Sequence, residues 1–271
     1  MQFPASPKEM LMSFWRNRAL IWISIRREVL GRYRGSFLGI LWSLFNPLVM
    51  LGAYTFVFGA VFRARWGGAE ESKTGFALIL FAGLIIFNLF AECINRAPTL
   101  IFSNSNYVKK IVFPLEILPW VSLGAALFHM FISLVVWAIA YFLIEGMPHA
   151  TMLFVPFFLL PLLFMILGFS WILASLGVFL RDVGQIVGIL VTVSMFLSPI
   201  FYPLSAVPEE YRPFIELNPL TPAIEWLREL LYWGRVPEPG PFLVELFVGF
   251  GVFWFGFYWF QKTRKGFADV L

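Results

Sequence analysis

The sequence has few charged residues, few histidines and a single cysteine. Asp, Glu, Lys and Arg make up 13% of its 271 residues, which is about half their share in an average soluble domain. The lone Cys93 excludes a disulfide within the chain. The two histidines, His129 and His149, are widely spaced, so they do not form a conventional metal cluster with it. We therefore expect no metal site in this chain and no redox chemistry.

Motifs for nucleotide binding and catalysis are also missing. The pattern Gly-x-x-x-x-Gly-Lys-Ser/Thr, which cradles nucleotide phosphates, does not occur in the sequence. Paired catalytic carboxylates, a nucleophile elbow and an Asp-rich metal motif are absent as well. We expect a protein that is not an enzyme and holds no cofactor of its own. If ATP drives its activity, the ATPase is another chain.

Long apolar runs are the main feature that is present. The chain is 60% hydrophobic and 19% aromatic, and about 20 apolar helical residues cross the hydrocarbon layer of a membrane. The sequence predicts an all-α integral membrane protein with a cytoplasmic N-terminal region at 1–36, a transmembrane domain at 37–260 and a cytoplasmic tail at 261–271. Its six predicted spans are 37–62, 74–91, 117–144, 155–180, 185–203 and 241–260.

Prolines predict irregularities in two of these spans. Pro148, Pro156 and Pro161 crowd the start of the fourth span, so its regular helix is expected from about Leu159 onward. The fifth span should end near Ser198, because proline disfavours helix at the residue before it.

The distribution of charge predicts the orientation of the chain. With the N-terminus in the cytoplasm, the inner segments carry 14 basic and 6 acidic residues, and the outer segments carry 6 basic and 9 acidic residues. Basic residues near the spans stay on the cytoplasmic side. Both termini are therefore expected in the cytoplasm.

The segment before the first span is predicted to be a basic amphipathic helix. A helical wheel places Trp22, Ile25, Val29 and Tyr33 on one side, with Arg27 among the polar residues opposite. One interpretation is a charge anchor that only sets the topology. The other is a docking element for a cytoplasmic partner, with its aromatic and aliphatic side under the bundle.

Two connections are unusual. Ser and Asn residues at 103–106 can cap a short helix that Pro114 ends, either as an ordinary loop or as a cytoplasmic lever. The connection at 201–241 is rich in proline, and its part 223–233 alternates apolar residues with Glu225, Arg228 and Glu229. We predict that it forms two short helices that partly re-enter the outer leaflet, an arrangement suited to a gate.

Charged and aromatic side chains within the spans have competing explanations. Local ion pairs or snorkelling explain Glu92, Arg96, Glu116 and Glu245 at least as well as a transport role does, and His129 is expected to be packed and hydrogen-bonded. Aromatic rings can stack on sugars, although lipid-facing belts use the same residues. A channel lining is assigned by preference to the first and fifth spans, at Trp42, Phe45, Tyr54, Phe58, Phe196, Phe201 and Tyr202.

Short sequences in a fixed order resemble a known family. They are RYRGSFLG at 32–39, LWSLFNPL at 41–48, KKIVFPLE at 109–116, FLRDV at 179–183, LSPIFYP at 197–203 and LNPLTP at 217–222. In this order, and over nearly the whole chain, they resemble the membrane subunits of ABC exporters for bacterial O-antigen, capsule and teichoic acid. The resemblance implies a homodimer in the bacterial inner membrane that pairs with two copies of a cytoplasmic ATPase, which binds ATP and Mg²⁺.

The resemblance also implies roles for particular residues. By position, 22–34 is similar to the family's interface helix, 103–113 to its coupling helix, and 202–233 to its external gate helices. The implied ATPase contacts are Trp22, Arg26, Arg27, Arg34, Ser103, Asn104, Tyr107, Lys109, Lys110, Arg181 and Asp182. The implied gate residues are Pro203, Tyr211, Asn218, Trp226 and Arg228.

The expected cargo is a polysaccharide linked to undecaprenyl pyrophosphate, most simply an O-antigen. Arg27, Arg32 and Arg34 on the basic inner rim would attract its pyrophosphate head group, together with anionic membrane lipids. No nucleic-acid partner is expected. Two alternatives stay open at this point: an ATP-independent channel or lipid scramblase, and an ABC permease for a small lipid or a drug.

Overall fold

A computed structural model of the chain describes residues 4–61, 66, 73–105 and 113–270, and these residues form helices and turns without a β-strand. The α-helices are α1 Pro7–Arg16, α2 Arg18–Arg32, α3 Trp42–Tyr54, α4 Lys73–Arg96, α5 Leu118–Ile144, α6 Val155–Phe158, α7 Leu160–Phe179, α8 Val183–Leu197, α9 Arg212–Glu216, α10 Leu220–Arg228, α11 Pro239–Thr263 and α12 Phe267–Val270. The 3₁₀ helices are Gly39–Leu41, Ala97–Thr99, Phe102–Asn104, Leu115–Ile117, Ala150–Phe154, Leu204–Ala206 and Arg264–Gly266, and π-helical turns occupy Thr55–Val61 and Glu229–Trp233.

Five helical stretches of the described chain are long and apolar enough to cross a membrane. They are Gly39–Phe58, Gly75–Thr99, Leu115–Ile144, Ala150–Phe179 and Pro239–Gly266. The sixth apolar helix, α8, has 15 residues and is therefore about 22 Å long, shorter than the roughly 30 Å of a hydrocarbon layer. The all-helical fold and the apolar helices are as the sequence predicts.

The proline-induced breaks lie where the sequence places them. The chain turns at Leu159 between the single turn of α6 and the regular helix α7. Helix α8 ends at Leu197, and the next residue, Ser198, is extended (φ −96°, ψ 147°). Both results follow from local sterics, because a proline ring clashes with helical backbone on its N-terminal side.

Helix α4 is the centre of the bundle, and α3 lies at its edge. In the apolar stretch Gly75–Thr99, which contains most of α4, 78% of the most apolar part is buried. In Gly39–Phe58, which contains α3, the corresponding share is 6%. Helix α4 contacts α5, α7, α8 and α10. It also continues past the predicted span end at residue 91 to Arg96, because ion pairs to α2 neutralise Glu92 and Arg96.

Small residues bring α7 and α11 into backbone contact. A β-carbon on Gly256 would lie 2.2 Å from the carbonyl oxygen of Gly168, and one on Gly168 would lie 2.4 Å from that of Val252. A β-carbon on Gly249 would likewise lie 2.6 Å from the carbonyl oxygen of Pro161. Glycine is therefore required along this helix pair, as in close helix packing within membranes.

Candidate functional site

Helix α2 lies against the outside of α5. Ile21 and Val29 are buried, and the side chain of Ile25 occupies the space beside Gly124, where a β-carbon would lie 2.2 Å from its Cδ1 atom. Trp22 is 69% exposed, so the prediction that it shares the buried side was wrong. The buried side is rotated toward Ile21 because Glu28 and Arg32 turn inward to pair with α4.

Two ion pairs join α2 to α4. Arg32 Nη2 donates to Glu92 Oε1 at 2.5 Å, and Arg96 donates to Glu28. The paired residues are four apart on each helix, so the two pairs lie one turn above the other. Burial raises the pKa of the Glu28 carboxyl, against the lowering effect of Arg96. Helix α2 is thus held to the central helix α4 by two ion pairs.

His129 of α5 completes this cluster. Its Nε2 atom lies 3.1 Å from the Tyr33 hydroxyl, and its Nδ1 atom lies 3.1 Å from both carboxylate oxygens of Glu92. A neutral ring with its proton on Nδ1 can donate to Glu92 and accept from Tyr33. This confirms the prediction of a packed, hydrogen-bonded histidine.

The predicted head-group arginines differ in their surroundings. Arg32 is engaged by Glu92, so a phosphate would have to share or displace that carboxylate. Arg27 and Arg34 are exposed, and so is Arg26 of the predicted ATPase contacts. The structure therefore leaves a basic exposed side on α2.

The two predicted ATPase contacts outside α2, at 103–104 and at the Arg181–Asp182 turn, lie close to one another. Phe102, beside Ser103 and Asn104, lines a shallow cleft with Thr99 and Arg181 of the α7–α8 turn. Asn104 donates to the carbonyl oxygen of Leu100 at 2.8 Å, and Ser103 and Asp182 are exposed. The predicted contacts Tyr107, Lys109 and Lys110 lie outside the described residues.

Glu116 lies in a buried cluster that ties four parts of the chain together. Its carboxylate accepts from Ser13 at 3.0 Å and from Arg264 Nη1 at 2.6 Å. Its backbone carbonyl accepts from the indole of Trp171 at 3.0 Å. Arg264 also donates to the carbonyl oxygen of Phe113 at 2.9 Å. Both chain ends are thereby held to the residues that directly follow 106–112.

Arg228 is the most unexpected residue at the other end of the bundle. The sequence groups it with Glu225 and Glu229 as the charged residues of a short re-entrant helix, but its side chain is 0% exposed. It donates to the carbonyl oxygens of Ile79 (3.1 Å), Pro199 (2.6 Å) and Ile200 (2.9 Å). The carbonyl oxygens of Pro199 and Ile200 lie in the break after α8 and have no helical N–H donor. The carbonyl oxygen of Ile79 lies within α4, where it has to share a donor. The buried guanidinium of Arg228 donates to all three.

Two further contacts surround this arginine. Glu225 accepts from Arg228 at 2.8 Å, and the Arg228 guanidinium carbon lies 4.2 Å from the ring centroid of Trp66. Beside it, burial raises the pKa of Glu229, and the nearby Glu225 carboxylate raises it further. Arg228 therefore ties α10 to α4 and to the chain that follows α8.

The other predicted gate residues fall into two groups. Asn218 donates to Ser198 at 2.9 Å and accepts from the backbone of Leu220 at 3.0 Å, which links the end of α8 to the start of α10. Trp226 is buried against Phe158 and Phe242. By contrast, Tyr211 is exposed and Pro203 is half-buried. The segment 201–241 is therefore anchored along α10 and exposed near α9.

The predicted aromatic lining residues of α3, α8 and their adjoining turns form the aromatic group, in which two separate sets of rings are in contact. Phe201 stacks on Phe58 with 6.2 Å between ring centroids and lies 6.3 Å from Phe196. Nearer the start of α3, Trp42 contacts Phe45 edge-on. Trp42, Phe45 and Phe196 are exposed, whereas Tyr54, Phe58, Phe201 and Tyr202 are half-buried. The structure therefore brings Phe58 of the first predicted span into contact with Phe201, which follows the helix of the fifth.

Several partners in these clusters were not identified from the sequence. The charges Glu92, Arg96 and Glu116 were noted, but Glu28 and Arg264 were not assigned as their partners. One signal was available: in both 28–32 and 92–96 an acid is followed four residues later by a base, so antiparallel helices can pair each acid with the base of the other helix. The Arg264–Glu116 pair has no such signal, since 148 residues separate its members.

Comparisons with known proteins agree with this architecture. The model of the ABC-2 type transporter family matches residues 19–232. The chain is 26% identical over 264 residues to the O-antigen export system permease protein RfbA of Myxococcus xanthus, covering 97% of this chain and 99% of that protein. It is 27% identical over 255 residues to RfbA of Klebsiella pneumoniae, covering 93% and 95%. It is 24% identical over 241 residues to the polysialic acid transport protein KpsM of Escherichia coli, covering 84% and 89%.

Proposed function

Because this chain belongs to the ABC-2 type transporter family, we propose that it is the membrane subunit of an ATP-driven polysaccharide exporter. The cargo is a lipid-linked polysaccharide, most simply an O-antigen, and the location is the bacterial inner membrane. Relatives named for O-antigen export and polysialic acid transport support this substrate class. Their alignments extend over most of both chains, so the likeness includes the membrane helices as well as the external segment.

The observation that carries the proposal is the uncovered side of α3 and α8. Only 6% of the apolar stretch around α3 is buried, and α8 exposes Ile186, Ile189, Leu190, Val193 and Phe196. Apolar side chains on a membrane helix face either lipid or protein, and α3 differs from the other four long apolar stretches in that so little of it packs on its own chain. A second copy of the chain covers part of it, and the two copies enclose a path lined by the aromatic group.

This arrangement includes six spans and an external gate. Helix α8 crosses most of the membrane, and the turns at 198–203 complete the fifth crossing. Helices α9 and α10 re-enter the outer leaflet, supported by the packing of α10 on α4. The basic ends of α2, α4 and α11 then face the cytoplasm together with both termini, in keeping with the positive-inside rule.

Energy comes from two copies of a separate ATPase that binds ATP and Mg²⁺. Its closure pushes on α2, on 103–113 and on the Arg181–Asp182 turn. The ion pairs from α2 to Glu92 and Arg96 pass this displacement to α4, which lies at the centre of the bundle. The exposed arginines of α2 attract the pyrophosphate head group of the cargo.

The decisive experiment removes and restores the chain in its own host. We expect surface polysaccharide to disappear on deletion and to return only when both this chain and an ATPase with an intact nucleotide site are present. Unchanged surface polysaccharide after deletion would contradict the proposal. Polymer export that continues with an inactive ATPase would favour an ATP-independent channel or scramblase.

A pair of variants tests the coupling segment. Reversal of charge in Lys109→Glu with Lys110→Glu should abolish export and leave the protein inserted in the membrane. Lys265→Glu reverses an exposed charge on the C-terminal tail and serves as the matched control. Equal export by the two proteins would show that 103–113 is an ordinary loop.

A further inference from the structure

From Gly75 onward, helix α4 is covered on nearly all sides, and the two exposed side chains of this part are both carboxamides. From Gly75 to Arg96, Asn88 and Asn95 are exposed, and every other side chain is buried or half-buried. They are seven residues apart, so they lie on the same side of the helix with about 10 Å between them along its axis. Thr99 extends this row to the end of the apolar stretch.

Asn88 lies near the middle of the apolar stretch Gly75–Thr99. Asn88 is eleven residues before Thr99, the end of the apolar stretch, which corresponds to about 16 Å of helix. This is about half the thickness of a hydrocarbon layer. Toward the other end, the same side of α4 continues with Phe81 and Leu84, which are buried.

Neither carboxamide has a hydrogen-bond partner among the described residues. Asn88 and Asn95 make no side-chain hydrogen bond, although the amides of Asn104 and Asn218 do. A primary amide has two donors and a carbonyl acceptor, and losing them to hydrocarbon is unfavourable. Polar side chains in membrane helices therefore face other protein or a water-filled cavity.

Exposed hydrogen-bonding side chains occur on some helices of the bundle and not on others. Exposed side chains of α5 are apolar, and those of α11 are apolar or aromatic up to Lys262, as expected for surfaces in contact with lipid. Helices α3 and α8 instead expose Asn46, Gln185 and Thr192. Hydrogen-bonding side chains are thus exposed on the same helices as Trp42, Phe45 and Phe196 of the aromatic group.

We propose that Asn88 and Asn95 face a water-filled path and hydrogen-bond to the hydroxyl groups of the passing polysaccharide. This inference rests on the proposed function for the identity of the polymer. A carboxamide can donate to one hydroxyl and accept from another, so it can exchange partners as a sugar chain slides past. The aromatic group alone offers no such directional contact.

Charge neutralisation beside the row supports an uncharged ligand. Glu92 lies between the two asparagines, but Arg32 and His129 contact its carboxylate. The described part of the row therefore presents amides and a hydroxyl rather than a free charge. Such a surface suits a polyhydroxylated chain that must move on without being held tightly.

Cysteine labelling tests access to water at these positions. Asn88→Cys and Asn95→Cys are made one at a time in a Cys93→Ala chain, assembled with its ATPase in membranes, and treated with methanethiosulfonate ethylsulfonate. The control is Ile139→Cys, on the exposed apolar side of α5. Because the reagent needs a thiolate, which forms in water, we expect labelling at 88 and 95 to be at least about tenfold faster than at 139. Equal rates at all three positions would overturn the proposal.

The same variants distinguish the path from a contact between subunits. Labelling at 88 and 95 should slow in membranes from cells that synthesise the polysaccharide, relative to cells that do not. A rate that is the same in both membranes would remove the polymer from the proposal. Formation of a disulfide between two copies of Asn88→Cys, without labelling, would assign the residue to the subunit interface and overturn it.

Export measurements complete the test. We expect Asn88→Leu with Asn95→Leu to export polysaccharide several-fold more slowly, and Asn88→Ser with Asn95→Ser to retain export, with copurified ATPase confirming assembly. Normal export by the leucine protein would contradict the inference. If the wild-type chain exports no polysaccharide, the proposed function fails instead, whereas labelling still reports whether the row faces water.

Discussion

Nη1 of Arg228 donates a hydrogen bond of 2.6 Å to the carbonyl oxygen of Pro199. This contact joins the short helix α10 to the chain immediately after α8. The same side chain reaches Ile79 in the central helix α4 at 3.1 Å. One buried cation therefore determines how the proposed gate sits on the bundle.

Replacement of Arg228 should be strongly destabilising. Arg228→Met leaves three backbone carbonyls without their donor, and we expect a loss of about 2–4 kcal/mol in the free energy of unfolding. Thermal unfolding of the detergent-solubilised protein measures this loss. Arg235→Met, which changes an exposed arginine of the same segment, should have little effect. Similar melting temperatures for the two variants would contradict the structural role of Arg228.

Two glycines of α11 should respond differently to the same substitution. Gly256→Ala places a β-carbon 2.2 Å from the carbonyl oxygen of Gly168, whereas a β-carbon on Gly251 meets no atom within 4 Å. We expect Gly256→Ala to force α7 and α11 apart at a cost of about 1–3 kcal/mol. Gly251→Ala should melt like the wild-type protein. Thermal unfolding of the two proteins side by side decides the matter, and equal stability would be inconsistent with backbone contact.

The buried pair of Glu116 and Arg264 should show strong coupling. Glu116→Gln or Arg264→Met alone leaves a charge with little access to water, and we expect a loss of about 3 kcal/mol for each. The double variant should lose less than the sum, because it leaves no unpaired charge. Unfolding measurements on all four proteins give the coupling energy, and Lys265→Met, which changes an exposed neighbour, is the control. Additive losses would show that the two groups act independently.

The tie between α2 and α4 should affect transport more than stability. Glu28→Arg places two positive charges together, and because the pair is partly exposed we expect about 1 kcal/mol of destabilisation. Export per ATP hydrolysed should fall by at least about fivefold if the tie passes displacement to α4. Glu28→Arg combined with Arg96→Glu should restore export. Failure of this charge swap to restore it, in a protein that still binds the ATPase, would separate the ion pair from coupling.

Features with a local cause could be predicted from the sequence. The break before α7 follows from Pro156 and Pro161, and the end of α8 follows from Pro199, because proline restricts the backbone next to it. Apolar length likewise predicts the helices that can cross a membrane. The side on which α2 packs could not be predicted in this way, since Gly124 and the charges of α4 decide it from elsewhere in the chain.

The sequence by itself determined an all-helical membrane protein, the positions of its apolar helices and the similarity to a transporter family. These properties depend on the transfer of each segment from water to hydrocarbon and on charges near the segment ends, and both are readable residue by residue. Only the tertiary structure decided that Arg228 is buried, that Glu92 is paired, and that Asn88 and Asn95 remain uncovered. Burial and pairing depend on which helices become neighbours, and no local pattern carries that information.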